Sequence, residues 1–123
     1  MNAISILHNP NCSKSREALA LLQTHGIKPQ IIDYLSGGLN QQLLRTIIQC
    51  LKVEPREIIR TKEEAFLALN INLNDSEEVI EAILSHPQIL ERPIVFNGKE
   101  AVIGRPPKNV LTIILHSDEV KPT

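Results

Sequence analysis

Residues 3–35, AISILHNPNCSKSREALALLQTHGIKPQIIDYL, decide the fold. The run 3–8 is short and apolar, carries two isoleucines and stops at Asn9-Pro10, which predicts a buried strand. Beyond it Ala18, Leu19, Leu21 and Leu22 recur at helical spacing, and Gly26 stands where a glycine closes a helix. A helix of about 12 residues is expected there. Residues 30–35 (QIIDYL) predict a second strand. Strand, helix and strand over so short a span make a βαβ unit, whose two strands run parallel.

Working outward, Ser36-Gly37-Gly38 reads as a turn, and the stretch 40–90 takes on a helical period. Leu43, Leu44, Ile47, Ile48 and Leu51 form one stripe, Pro55 opens a helical segment ending near Arg60, and 63–69 is helical in pattern. Ser76 is expected as the N-cap of a helix running to about Ser85, with Glu78 and Glu81 near its positive end and Pro87 marking its exit. Strand signals return at 93–96 and 99–103, and the Asn97-Gly98 pair between them is a hairpin signal. Pro106-Pro107 then opens a last helix, with Val110, Leu111, Ile114 and Leu115 on one face. The tail 116–123 is expected to fray.

The element order is therefore βαβ, helices, ββα. It predicts an α/β fold: a thioredoxin-like four-stranded mixed sheet with an inserted helical layer at about 38–90. A chain of 123 residues is expected to be one domain, 1–123, and its 42% hydrophobic content supports a sizeable core.

Composition narrows the function classes. A net charge of −1 is not the basic footprint of a nucleic-acid binder, and 2% aromatic content leaves few stacking platforms. No apolar run approaches a membrane span, and the N-terminus lacks the features of a signal peptide, so no membrane is expected and a cytoplasmic setting is. Two cysteines are too few for a disulfide scaffold. His8, His25, His86 and His116 are scattered, so no metal is expected, and no glycine-rich phosphate motif points to a nucleotide.

Cys12 is the centre of the chemistry. It falls between a strand end and a helix start, where backbone N–H groups and the helix dipole favour a thiolate and lower its pKa. Its neighbours are polar, so burial as a small hydrophobe has little support, and His8, Lys14 and Arg16 are expected to add positive charge along the chain. Position 15, where a redox dithiol would carry its second cysteine, is Ser15. A single thiol cannot close a local disulfide, so an external thiol must resolve any intermediate. Ser15 is expected either to cap or hydrogen-bond the thiolate or to sit in solvent in the first turn. Cys50 lies on the apolar stripe 43–51 and reads as a core residue. Arg60 ends a helical segment, while Arg92-Pro93 and Arg105-Pro106 set two arginines at strand boundaries, where proline restricts the backbone. Guanidinium groups suit a tetrahedral oxyanion, so the three arginines together are candidates for an oxyanion pocket.

HNPNCSKSRE at 8–17, REIIRTKEEAF at 56–66 and ERPIVFNGKEAVIGRPP at 91–107 together resemble the glutaredoxin-linked arsenate reductase family of the thioredoxin-like superfamily, and the likeness spans about residues 3–115. Where the best-known members carry Gly-Thr before the serine, this chain has Ser13-Lys14. The resemblance implies Cys12 as nucleophile, with Arg60, Arg92 and Arg105 holding the oxyanion, His8 and Ser15 tuning the thiolate, and Pro93 in a cis peptide. It further implies reduction of arsenate to arsenite, with glutathione as co-substrate, glutaredoxin as protein partner and no tightly bound cofactor. Two other readings stand beside it. One is a glutathione-linked thiol oxidoreductase with no arsenate role, which would use the same Cys12. The other is a redox regulator of the Spx group that binds RNA polymerase; such proteins typically use a Cys-x-x-Cys switch, and Ser15 argues against one here.

Overall fold

β1 (Ser5–Leu7) is buried along its whole length, because it has a strand on each edge and helices on both faces. The structure, a computed structural model, describes residues 4–115; Ala3, the tail 116–123 with His116, and the side chains of Ile114 and Leu115 lie outside what is described. β1 pairs in parallel with β2 (Gln30–Ile32) and antiparallel with β3 (Ile94–Phe96), and β3 pairs antiparallel with β4 (Ala101–Ile103). The sheet order is β2-β1-β3-β4, which is the thioredoxin-like mixed sheet.

Alternation along the strands divides the core in two. Ile4, Ile6 and Val95 point to one face and pack with Ala18, Leu22 and Ile27 of the first crossover and with Val110 and Ile113. Leu7, Ile94 and Phe96 point to the other face and pack against the helical layer through Leu44, Ile47, Ile48, Val79, Ile80 and Ile83. Registers Leu7↔Ile94, Ile6↔Val95 and Ser5↔Phe96 keep these two sets from mixing.

α1 (Ser13–Thr24) buries Ser15, Ala18 and Leu22 on one stripe. It ends in a Schellman-type closure: the Gly26 N–H bonds the Gln23 carbonyl, the Ile27 N–H bonds the Leu22 carbonyl, and Gly26 takes φ +80°. On the opposite face lie α2 (Gln41–Leu51), α3 (Glu64–Leu67) and α4 (Ser76–Ser85); α5 (Val110–Leu115) packs beside α1. Among the described residues no helix is long and apolar enough to cross a membrane.

Several boundaries differ from the sequence reading. β2 stops at Ile32, and Tyr34–Ser36 turns into a 3₁₀ turn that buries Tyr34. The segment opened by Pro55 is a single 3₁₀ turn, Pro55–Ile58, and α3 is one turn long. The cap of α4 is Asp75 rather than Ser76, because the Asp75 carboxylate accepts the N–H groups of Glu77 and Glu78. The Asn97-Gly98 hairpin closes through a four-residue connection, since Asn97 Oδ1 accepts the N–H groups of both Lys99 and Glu100. A 3₁₀ turn, Pro107–Asn109, precedes α5.

Candidate active site

Cys12 is presented by a tight turn written into the HNPNC segment. The Cys12 N–H bonds the Asn9 carbonyl at 3.0 Å, with Pro10 at the position where a fixed φ favours the turn. Asn9 Oδ1 accepts the Asn11 N–H at 2.9 Å, and Arg16 Nη1 donates to the Pro10 carbonyl at 2.8 Å. Cys12 itself is the N-cap residue of α1, with extended backbone, and only 9% of it is exposed.

The Cys12 thiol is held below the ordinary thiol value. Burial works against this, but it is outweighed by the Ser15 backbone N–H, the charge of Arg92, the Lys14 backbone N–H and the Arg105 side chain. Arg105 Nη2 lies 3.9 Å from Sγ. Cys50, in contrast, has its thiol pushed up by burial.

The two cationic arms arrive together from the β3–β4 unit. The Gly104 N–H donates to the Pro93 carbonyl at 2.8 Å, and Arg105 Nε donates to the Arg92 carbonyl at 2.7 Å. A Cβ at Gly104 would lie 2.9 Å from Pro93 Cγ, so glycine is what lets these two segments touch. The Arg92–Pro93 and Arg105–Pro106 peptides are both cis. Arg92 Nε and Nη1 are buried and have no hydrogen-bond partner among the described residues. Buried donors of that kind are rare and mark a place where an acceptor is wanted.

Arg60 reaches the same end of the sheet by another route. An isolated bridge joins Ile59 to Leu90, and the Arg60 N–H bonds the Ile89 carbonyl at 2.7 Å. This lays the segment before Arg60 alongside the segment before Arg92. The Arg60 guanidinium pairs with Glu63 at 2.9 Å and donates to the Gln88 carbonyl at 3.2 Å. It is therefore already engaged, unlike that of Arg92.

His8 and Ser15 form a pair of their own. His8 Nδ1 and Ser15 Oγ are 2.6 Å apart, and Ser15 Oγ accepts the Asn9 N–H at 2.9 Å. The Ser15 hydroxyl thus ties the strand end to the helix, and it is the Ser15 backbone N–H that serves the thiolate. His8 does not add the positive charge expected of it: burial, then Arg16, lower its pKa, and Asp33 opposes them only in part. The shift favours the uncharged ring.

Tyr34 is the site residue that the sequence reading missed. It is 2% exposed and lies within the electrostatic reach of Arg92, Cys12 and Arg60. Burial raises its pKa, so it stays neutral. Its only signal is a lone tyrosine in the run 30–35, QIIDYL. The arrangement combines an activated thiolate, cationic donors and a neutral hydroxyl, which suits attack of sulfur on an oxyanion. Among the described residues no three of His, Cys, Asp and Glu gather as metal ligands.

Comparison with known proteins places the chain among relatives. The profile of the ArsC family matches residues 7–113. An arsenate reductase of Haemophilus influenzae is 46% identical over 115 residues, covering 91% of this chain and 99% of the relative. An arsenate reductase of Neisseria meningitidis is 38% identical over 118 residues, covering 93% of this chain and 100% of the relative. The solved arsenate reductase of Vibrio cholerae superposes with a TM-score of 0.83 at 44% identity, covering 91% of this chain and 98% of that one. The chain belongs to the ArsC family.

Proposed function

We propose that this protein is an oxidoreductase that reduces arsenate to arsenite through the single thiolate of Cys12, with glutathione and glutaredoxin as reductants. The observation that carries the reading is the buried, unpartnered face of Arg92 beside a thiol whose pKa is lowered. Arg92 and Arg105 offset the repulsion between a thiolate and an oxyanion, and Arg60 joins them once it exchanges Glu63 for substrate oxygen. His8 and Ser15 hold the thiolate's loop in register. The likeness to the arsenate reductases of Haemophilus and Neisseria supports arsenate as the substrate.

Cys12 sulfur attacks pentavalent arsenic; a sulfur–arsenic bond forms, one arsenic–oxygen bond breaks, and that arsenate hydroxyl takes a proton from solvent and leaves as water. A glutathione thiolate then attacks Cys12 sulfur. The sulfur–arsenic bond breaks with its electron pair retained by arsenic, which becomes trivalent and leaves as arsenite, while a Cys12–glutathione disulfide forms. Glutaredoxin thiol exchanges with that disulfide and frees Cys12. The cytoplasm, where such thiols are kept reduced, is the setting this reading assigns, and a single 1–123 domain with its helical insertion at about 38–90 is part of the same proposal.

The test is arsenate-dependent NADPH consumption with glutathione, glutaredoxin and glutathione reductase. Wild type is expected to turn over and Cys12→Ser is expected to be inactive. Full turnover by Cys12→Ser refutes the mechanism. No turnover by wild type moves the function to a glutathione-linked activity without arsenate.

A further inference from the structure

A cleft of about 350 Å³ is lined chiefly by Arg60, Lys62, Glu63, Glu91 and Arg105. We propose that it seats the thiol co-substrate, a small zwitterionic thiol peptide of the class to which glutathione belongs. This rests on the function proposed above and adds where the second thiol binds.

The need for such a seat follows from the chain. It has two cysteines, and Cys50 sits on α2, on the face of the sheet opposite α1, with its thiol pushed up by burial. The thiol that resolves Cys12 therefore comes from outside. Arg105 is shared between cleft and sulfur: it lines the first and stands 3.9 Å from the second. A molecule seated in the cleft is one side chain away from Cys12.

The charges say what kind of molecule fits. A pocket for a bare oxyanion gains nothing from carboxylates, yet this cleft carries two of them among three cations. Glu63 is already paired with Arg60. Glu91 and Lys62 make no ion pair or side-chain hydrogen bond among the described residues, so one free carboxylate and one free ammonium face the cleft. A thiol tripeptide at neutral pH carries two carboxylates and one ammonium. Glu91 takes its ammonium, Lys62 one carboxylate, and Arg105 the other, which sets both signs against their opposites. A neutral thiol such as mercaptoethanol has nothing to offer these groups.

The experiment uses two readouts on the full chain. In the first, S-methylglutathione, which has no free thiol, is titrated into wild type, Lys62→Ala and Glu91→Gln and followed by amide NMR shifts. In the second, KM for glutathione and KM for arsenate are measured separately, with the pH midpoint of Cys12 alkylation as the check that each variant is folded. Saturable shifts at residues 60–63, 91 and 105 in wild type are expected. The variants are expected to raise KM for glutathione about tenfold, the worth of one charge-assisted contact, while KM for arsenate changes less. Wild-type turnover with an unaltered KM for glutathione in both variants overturns the cleft and leaves the reaction standing. Absence of S-methylglutathione binding also overturns it. No arsenate turnover by wild type, with the shifts still present, refutes the reaction and leaves the cleft standing.

Discussion

Arg105 Nη2 lies 3.9 Å from Cys12 Sγ, although 93 positions separate the two residues in the chain. The contact is built by β1, β3 and β4: β1 delivers the loop that carries Cys12, and the β3–β4 hairpin returns Arg105 to it. Arg92 comes along because Arg105 Nε holds the Arg92 carbonyl at 2.7 Å. One thiol and two guanidinium groups are thus set by a single sheet register.

Cys12 is expected to react before Cys50. At pH 7 the lowered Cys12 pKa leaves more thiolate, whereas burial raises the pKa of Cys50. Limited iodoacetamide followed by peptide mass mapping is expected to label Cys12 first, even though Cys12 is the more buried of the two. Equal labelling contradicts the thiolate assignment.

Arg92→Ala and Arg105→Ala are each expected to raise the pH midpoint of Cys12 alkylation. Removing a positive charge destabilises the thiolate, so the sign is upward, and each unit is a tenfold loss of thiolate, or about 1.4 kcal/mol. Both variants are also expected to raise KM for arsenate strongly. Unchanged oxyanion binding in both removes the pocket.

Ser15→Ala separates the hydroxyl from the backbone. The hydroxyl bonds His8 and the Asn9 N–H, and its loss leaves two covered polar groups without that partner. Urea unfolding is expected to show a loss of about 1–3 kcal/mol. The Ser15 N–H remains, so the alkylation midpoint is expected to move less than in Arg92→Ala.

Gly104→Ala tests the close approach that places Arg105. The new Cβ would meet Pro93 Cγ at 2.9 Å and Val110 Cγ1 at 3.2 Å, and both belong to packed segments. A stability loss of about 1–3 kcal/mol is expected from overpacking, with a fall in turnover as Arg105 shifts. Wild-type melting temperature and turnover together contradict this account.

His8 sets an acid limit to stability. Its folded pKa lies below 6.5, so as pH falls through that value the unfolded chain takes up a proton that the folded chain still refuses. Stability is whole above the unfolded value and is lost as pH falls towards the folded one. Urea midpoints at pH 7.5 and pH 5 are expected to drop more in wild type than in His8→Gln.

Much of this was legible in one dimension because it is local. The burial of β1, the twelve-residue α1 with its Gly26 closure, the stripe 43–51 and the polar turn that sets Cys12 at the helix start all follow from periodicity and turn chemistry within a few residues. The misreadings are local contests settled by neighbours. Asp75 outcompetes Ser76 for the cap because its carboxylate reaches two N–H groups, and residues 33–36 leave the strand to bury Tyr34.

The sequence by itself determined the candidate nucleophile Cys12, its helix-start setting and the absence of a second cysteine at position 15, since each depends on residues adjacent in the chain. Only the tertiary structure decided which charges act on that nucleophile. It left Arg92 with unpartnered donors, turned Arg60 towards Glu63, lowered the pKa of His8 and brought Tyr34 into the site. The reason is physical: electrostatic interactions and desolvation depend on distance and burial in space, and residues 34, 92 and 105 come to act on Cys12 only when the sheet closes.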